Sequence, residues 1–444
     1  MNPNIDVRML LHQRPMARAQ IAVVALCVVI NMMDGFEILA PALTAAQISR
    51  QWMLGPAQLG RLFSSGLAGM ALGALALSPL ADFWGRRRTV LLCLVIITTG
   101  MLWSAATPSL WHLMTARAVT GIGVGAMLAA NNTIVAEYAN DRWRDLAICL
   151  QAAGFPLGGA LGGLVAYMIS DVGWRWVFVV GGAFSTLLIA AVVAWLPESF
   201  DFLIERRPRR ALERVNLLLC RLGMPKIDVL PDPALRNYEY RPTGAVRGGV
   251  WLNTLLICSS CFLLMFTFYF LTNWMPKLLT DYGVSLKVGV SGAAFMNLGG
   301  VIGDLLFAAL TIRWPAHRLG PVFMSACFGT VVLFALLPTR PETLTPMVFL
   351  LGFLLFGSMT SLYAIVPMIY TATVRTSGTG LTLGLGRIGA AAGPYVGGLL
   401  IAMAWNRTAY LVVMAFPLLL CAAGTLLLSK RSVRPPPNSA RTLL

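Results

Sequence analysis

Charge is scarce in this sequence. Asp, Glu, Lys and Arg together make up 12% of 444 residues, against about 25% in an ordinary soluble domain, and that shortfall excludes a soluble globular fold. Acidic residues are the rarer sign, 18 against 34 Lys and Arg, for a formal charge of +16. In a soluble chain such an excess points to nucleic acid; here the basic residues have another origin, and no nucleic-acid partner is expected. Histidine is nearly absent. His12, His112 and His317 lie far apart and outside membrane depth, so no metal site is expected. The sequence holds neither a His-Glu-x-x-His pattern nor a nucleophile beside a base, and an enzyme is not expected. The eight Cys sit mostly inside apolar runs, where they behave as small hydrophobes rather than as a disulfide framework. Cys258 and Cys261 have thioredoxin-like spacing, but no strand-helix-strand pattern surrounds them.

What is abundant is apolar sequence, 57% of the residues, in runs too long for helical or alternating periodicity. About 20 such residues cross a bilayer. On that ruler the runs predict spans near 20–43, 57–81, 88–107, 111–137, 144–170 and 175–197, then 249–279, 287–311, 318–338, 343–370, 376–403 and 407–429. Pro41 is expected to end the first span and Pro276 the seventh. Arg8, Arg14 and Arg18 precede the first run as in a signal sequence, but Asp34 and Glu37 within it and the lack of a cleavage pattern make it a retained span. Residues 198–248 are the long polar segment, with ten Lys and Arg. Leu203, Leu212, Val215, Leu219 and Leu222 recur there at about helical spacing, which predicts amphipathic helix on the membrane surface. Residues 1–197 and 249–444 are therefore read as two six-helix bundles joined by a 198–248 linker. Termini and loops on the linker's side hold 25 Lys and Arg against 7 on the other. That bias places both termini in the cytoplasm of a multi-pass protein of the inner (plasma) membrane, expected to act as a monomer in the lipid bilayer.

Gly384-Leu385-Gly386-Arg387-Ile388-Gly389 matches a dinucleotide fingerprint literally, but it lies within an apolar segment too long for a strand. Close helix packing through small residues explains it. The halves echo each other: Gly154-Phe155-Pro156-Leu157-Gly158-Gly159 in the fifth span answers Gly393-Pro394-Tyr395-Val396-Gly397-Gly398 in the eleventh. Transporters are commonly built from such repeats with the substrate site between them.

Ionisable groups at membrane depth cost on the order of 2.5 to 3.5 kcal/mol each on insertion scales, so their retention points to a cavity, a partner or a function. Asp34, Glu37, Arg117, Asp304 and Arg387 lie within spans, with Glu137 at a span's end. Asp34 and Glu37 are three residues apart and share a helical face with Asn31 and Pro41. Two acids this close can hold one proton between them, as a proton carrier needs; the plainer alternative is a static ion pair to another helix. Arg387 offers a planar fork to a carboxylate. Phe36, Phe155, Tyr269 and Tyr363 are candidate aromatic walls, and Asn273 and Asn297 candidate amide donors. Asp304, on one face with Asn297, is expected to be Arg387's resting partner. Arg117 either bridges two helices or takes part in proton transfer.

In Leu80-Ala81-Asp82-Phe83-Trp84-Gly85-Arg86-Arg87-Arg88, a carboxylate at a helix end and an Arg cluster suit a charge latch of Asp82, Arg86 and Arg87, with Gly85 allowing the turn. This loop resembles the signature loop of the major facilitator superfamily, though Ser78 and Phe83 replace its opening Gly and one basic residue. Arg117 followed by Gly121, Gly123 and Gly125 resembles that superfamily's span-4 motif, and Gly154 to Gly159 its span-5 Gly-Pro motif. Leu196-Pro197-Glu198-Ser199 resembles the span-6 exit of sugar and organic-ion members. Asp34-Gly35-Phe36-Glu37 is similar to the Asp-Gly-Phe-Asp of the aromatic acid:H+ symporters, and Gly386-Arg387-Ile388-Gly389-Ala390 with Gly393-Pro394 resembles their span 11. The resemblance implies an all-α major facilitator fold of twelve transmembrane helices in two bundles. It also implies import of an organic, aromatic carboxylate with protons, using the span-1 acids and the span-11 Arg, with the proton as coupling ion and no other cofactor. A drug/proton antiporter, a sugar or polyol carrier and a non-transporting membrane sensor are the alternatives.

Overall fold

The computed structural model of the chain describes residues 14–231, 250–281, 285–337, 341–370 and 375–432. Its first six spans are α1 (Arg18–Trp52), α2 (Pro56–Ala76), α3 (Arg86–Ala105), α4 (Leu110–Tyr138), α5 (Arg144–Met168) and α6 (Arg175–Trp195). The second six are α7 (Val250–Asp281), α8 (Leu286–Leu310), α9 (Ala316–Leu336), α10 (Pro341–Ile369), α11 (Arg375–Ala402) and α12, which comprises Arg407–Ala415 and Pro417–Ser432. Twelve helices among the described residues are long and apolar enough to cross a membrane. They are apolar outside as well as in. On α6, Phe178 and Val192 are buried while Leu187, Val193 and Trp195 are exposed, a distribution that belongs in lipid rather than water.

Within the first six helices α1 packs on α5, α2 on α4, and α3 on both α4 and α6; six helices later α7 packs on α11, α8 on α10, and α9 on α10 and α12. The same plan is thus built twice. Small residues set its close crossings, because without a hydrophobic drive between helices in lipid, association depends on backbone approach. A Cβ at Gly389 would stand 2.3 Å from the Phe262 carbonyl oxygen on α7, so the Gly-rich run of α11 is indeed a packing seam.

Pro41 and Pro276 do not end their helices: α1 continues to Trp52 and α7 to Asp281. A helical proline lacks one N–H and releases the carbonyl four residues back. For Pro41 that carbonyl belongs to Glu37, and Arg117 Nη2 donates to it at 2.6 Å. With the acceptor satisfied from α4, α1 runs through its proline.

The two bundles meet through α2 against α11 and α5 against α8. Gly60 approaches Gly398 and Pro394 so closely that a Cβ would lie 2.9 Å from the Pro394 carbonyl oxygen, and Gly159 faces the Asn297 amide. Phe63 packs edge-on to Trp274 with centroids 5.3 Å apart. Lys287 Nζ lies 2.9 Å from Asp171 Oδ2 across the same rim; both side chains are exposed, so solvent screens this pair and it adds little. These contacts seal the bundles at the end opposite the linker.

In the linker, helices form at Phe200–Arg206 and Ala211–Arg221. Residues 232–249 lie outside the described part. The amphipathic face expected on the membrane surface is turned to protein instead, since Leu203, Val215, Leu218 and Leu219 are buried in the protein core.

Candidate functional site

A cavity of about 330 Å³ lies between the bundles. One wall comes from α1, α2, α4 and α5 and presents Asn31, Asp34, Met70, Gln151 and Phe155; the other comes from α7, α8, α10 and α11 and presents Tyr269, Asp304, Thr360, Tyr363 and Arg387. A larger groove of about 890 Å³ lies at the periphery, and its charged lining, Asp141 and Arg142, belongs to the α4–α5 loop rather than to membrane depth. The chemistry is in the smaller space.

Arg387 is buried at 7% exposure. Its Nη1 donates to Tyr269 Oη at 3.1 Å and touches Met70 Sδ of the opposite bundle at 3.0 Å. Among the described residues no carboxylate stands within ion-pair distance of it. The expected partner is elsewhere: Asp304 Oδ1 accepts a 2.5 Å hydrogen bond from Thr360 Oγ1. A guanidinium carries five donors in a rigid fork, so Arg387 keeps donors for an anion. Beside it, Phe268 packs edge-on against Phe356 at 4.9 Å, and Phe155 faces Phe356 across the bundle seam at 6.4 Å. The result is an apolar slot with a cation at one pole.

The facing wall is polar and under-satisfied. Asn31 Nδ2 donates to the Gln151 carbonyl at 2.6 Å, but Asn31 Oδ1, Asp34 Oδ2 and Gln151 Nε2 are buried with no hydrogen-bond partner among the described residues. Unsatisfied buried polar atoms are few in folded proteins, and three on one cavity wall mark a place for ligand or water. Asp34 is in electrostatic range of Arg387. The cavity thus sets an acid on one bundle against a cation on the other.

Phe155, Tyr269, Tyr363, Asp304, Arg387 and Asp34 all line this space. Others do not. Phe36 packs inside the first bundle against Gly162 and Gly181, because two residues from Asp34 is about 200° around a helix. Glu37 lies on Asp34's face but a turn nearer the sealed end; it is fully buried and both carboxylate oxygens lack a partner among the described residues. Asn273 and Asn297 are likewise displaced toward the seal, their Nδ2 groups donating to Tyr269 O and Ala293 O of their own helices. Thr360, Gln151 and Met70 were not legible as site residues; they are of types that line any helix, and only the seam between bundles selects them.

Arg117 sits off the cavity. Besides the Glu37 carbonyl it contacts Met101 Sδ at 3.1 Å and lies 5.8 Å from the Phe178 ring centre, so it ties α4 to α1, α3 and α6. Arg117→Met should leave the Glu37 carbonyl unsatisfied, at a cost of about 1–3 kcal/mol, and lower the melting temperature in detergent by a few degrees. Adding Pro41→Ala restores an in-helix N–H to that carbonyl and should recover much of the loss; a double variant no more stable than Arg117→Met would show that the carbonyl is not what Arg117 serves.

The α2–α3 loop is drawn together as a junction. Gly85 has φ +100° and ψ 150°, a conformation open essentially to glycine alone, and a Cβ there would meet Glu198 Oε2 at 2.4 Å. Arg86 lies 3.5 Å from Asp82 and 3.7 Å from Glu137 at the end of α4. Arg87 donates its backbone N–H to Glu198 at 3.1 Å and its Nη2 to Val193 O at 2.6 Å. Glu198, beyond α6, is a member of this junction that the loop's own sequence does not reveal.

Two repeated six-helix bundles, sealed at one end around a cavity with opposed charges, define a membrane transport protein of the alternating-access kind. The Major Facilitator Superfamily model matches residues 24–381, and the chain belongs to that superfamily. Among its relatives, the 4-hydroxybenzoate transporter PcaK of Pseudomonas putida is 29% identical over 431 residues, covering 95% of each chain. The 3-(3-hydroxy-phenyl)propionate transporter of Escherichia coli (strain K12) is 28% identical, covering 93% of this chain and 94% of that one. Of solved structures, the xylose transporter XylE from E. coli in a partially occluded inward open conformation superposes with TM-score 0.72 at 13% identity, covering 92% of this chain and 97% of that one. This last likeness speaks to the fold alone.

Proposed function

We propose that the protein imports an aromatic carboxylate together with protons across the inner membrane. The observation that carries this reading is Arg387, a buried cation without an anionic partner among the described residues, at the pole of an aromatic-walled cavity. Relatives across nearly the whole chain are named for carrying 4-hydroxybenzoate, gallate and 3-(3-hydroxy-phenyl)propionate, all aromatic carboxylates. Both walls come from one chain, which suits a monomer. With basic loops inside, both termini are cytoplasmic, and the cavity, sealed at the far end, faces the cytoplasm. Asp34, with Glu37 and Arg117 behind it, holds the coupling proton, and no other cofactor is required. Protonated Asp34 no longer competes for the field of Arg387, the substrate carboxylate takes its place, and the near-neutral site can close as the bundles rock. A drug exporter is disfavoured because an uncompensated guanidinium repels a cationic cargo.

The test is uptake of labelled 4-hydroxybenzoate into proteoliposomes under an imposed pH gradient, with an organic cation and xylose in parallel. One pH unit supplies about 1.4 kcal/mol per proton, about tenfold accumulation. With the outside made the acidic side, inward accumulation of the substrate acid of that order is expected; transport of the cation or the sugar with none of the acid would overturn the reading.

A further inference from the structure

We propose that Asp304 and Thr360 form a subsite for a ring hydroxyl, which makes hydroxylated aromatic acids the preferred substrates over unsubstituted ones. The proposal rests on the aromatic-carboxylate reading above. Asp304 is a buried acid that faces the cavity, and no Lys, Arg or His lies within ion-pair distance of it among the described residues. Among the described residues its side chain accepts one hydrogen bond, from Thr360. A carboxylate has about four acceptor positions, so most of its accepting capacity is turned to the cavity. An acid kept at membrane depth without a counter-ion calls for donors, and a phenolic O–H is a donor of the right kind.

The layout supports a substrate spanning two poles. Tyr363, Arg387 and Asp304 line the same cavity, so the cation and the acid share one space. Thr360 and Tyr363, three apart on α10, are neighbours on its face. The apolar slot of Phe268, Phe356 and Phe155 accepts a ring alongside them. With the carboxylate gripped by Arg387, the ring's far side reaches toward Asp304. A C–H there would leave the acid dry and without its donor, whereas an O–H satisfies it. Sites built to bond a hydroxyl discriminate strongly against the analogue lacking it.

Uptake competition in proteoliposomes tests this with benzoate, 3- and 4-hydroxybenzoate and 4-methoxybenzoate. The wild-type protein should prefer one of the hydroxybenzoates over benzoate by about tenfold or more, and should treat the methoxy compound, which cannot donate, no better than benzoate. Asp304→Ala should bring the hydroxybenzoate-to-benzoate ratio near one through loss of hydroxybenzoate affinity. Thr360→Val should reduce the ratio less. Wild-type affinities for both hydroxybenzoates no better than for benzoate, an unchanged ratio in Asp304→Ala, or loss of benzoate and hydroxybenzoate alike in that variant would each overturn the subsite. So would loss of the pH-gradient response with the ratio intact, which would make Asp304 a proton carrier instead. A wild-type protein that takes up none of these acids would sink the aromatic-carboxylate reading itself, a different result from uptake without discrimination.

Discussion

Arg387→Ala is expected to raise the Kd for an aromatic carboxylate by about 30-fold or more. Removing one partner of a buried, hydrogen-bonded charge pair costs about 2–5 kcal/mol, and 2 kcal/mol corresponds to about 30-fold. The size follows from the surroundings: Arg387 is held by a neutral phenol and a thioether, and among the described residues no other Lys or Arg lines the cavity to compensate. Arg387→Lys keeps the charge but loses the planar fork, and a loss of about tenfold is expected. Tyr269→Phe removes a hydrogen bond that orients the guanidinium but leaves both its charge and its fork, so the three variants should rank in that order. Equilibrium binding of labelled 4-hydroxybenzoate to purified protein measures the series, and an unchanged Kd in Arg387→Ala would remove this residue from the site.

The parts of this design visible in the sequence are those whose physics is local. Twelve spans are legible because water and lipid sort residues by polarity over about 20 positions. Asp34 and Arg387 are legible because charge at membrane depth needs a reason. What fails is depth and distance. Glu37 shares a face with Asp34, as Asn297 does with Asp304, yet each lies on the sealed side, because where two bundles part depends on Gly60, Gly159 and their partners in the other half. Period alone cannot place that seam. Pro41 reads as a helix end because the group that rescues α1, Arg117, lies 80 residues beyond the carbonyl it satisfies. The α2–α3 junction likewise takes Glu198 from 111 residues past the Arg87 amide it accepts from. Asp304 lines the cavity, but its partner is a threonine on α10 rather than the cation on α11.

Asp34→Asn is expected to abolish accumulation against a gradient while sparing exchange of labelled for unlabelled substrate. The amide nearly preserves shape and hydrogen bonding but holds no titratable proton, so the variant mimics the loaded acid permanently. Arg387 then meets a neutral wall in every state, the substrate anion still compensates the guanidinium, and the bundles can rock with cargo in both directions. What is lost is the linkage: for the wild-type protein each pH unit drives about tenfold accumulation per proton, whereas the variant should equilibrate at a ratio near one whatever pH gradient is imposed. Asp34 is the sharper target than Glu37 because it lines the cavity and shares it with Arg387, while Glu37 is enclosed within the first bundle. If Asp34 alone carries the proton, one proton moves with one monoanion and the cycle is electroneutral, so a potassium diffusion potential without a pH gradient should drive no net uptake. If Glu37 loads as well, the cycle carries net charge, and Glu37→Gln should erase the potential-driven part alone. Undiminished uphill uptake by Asp34→Asn would take the coupling proton away from α1 altogether.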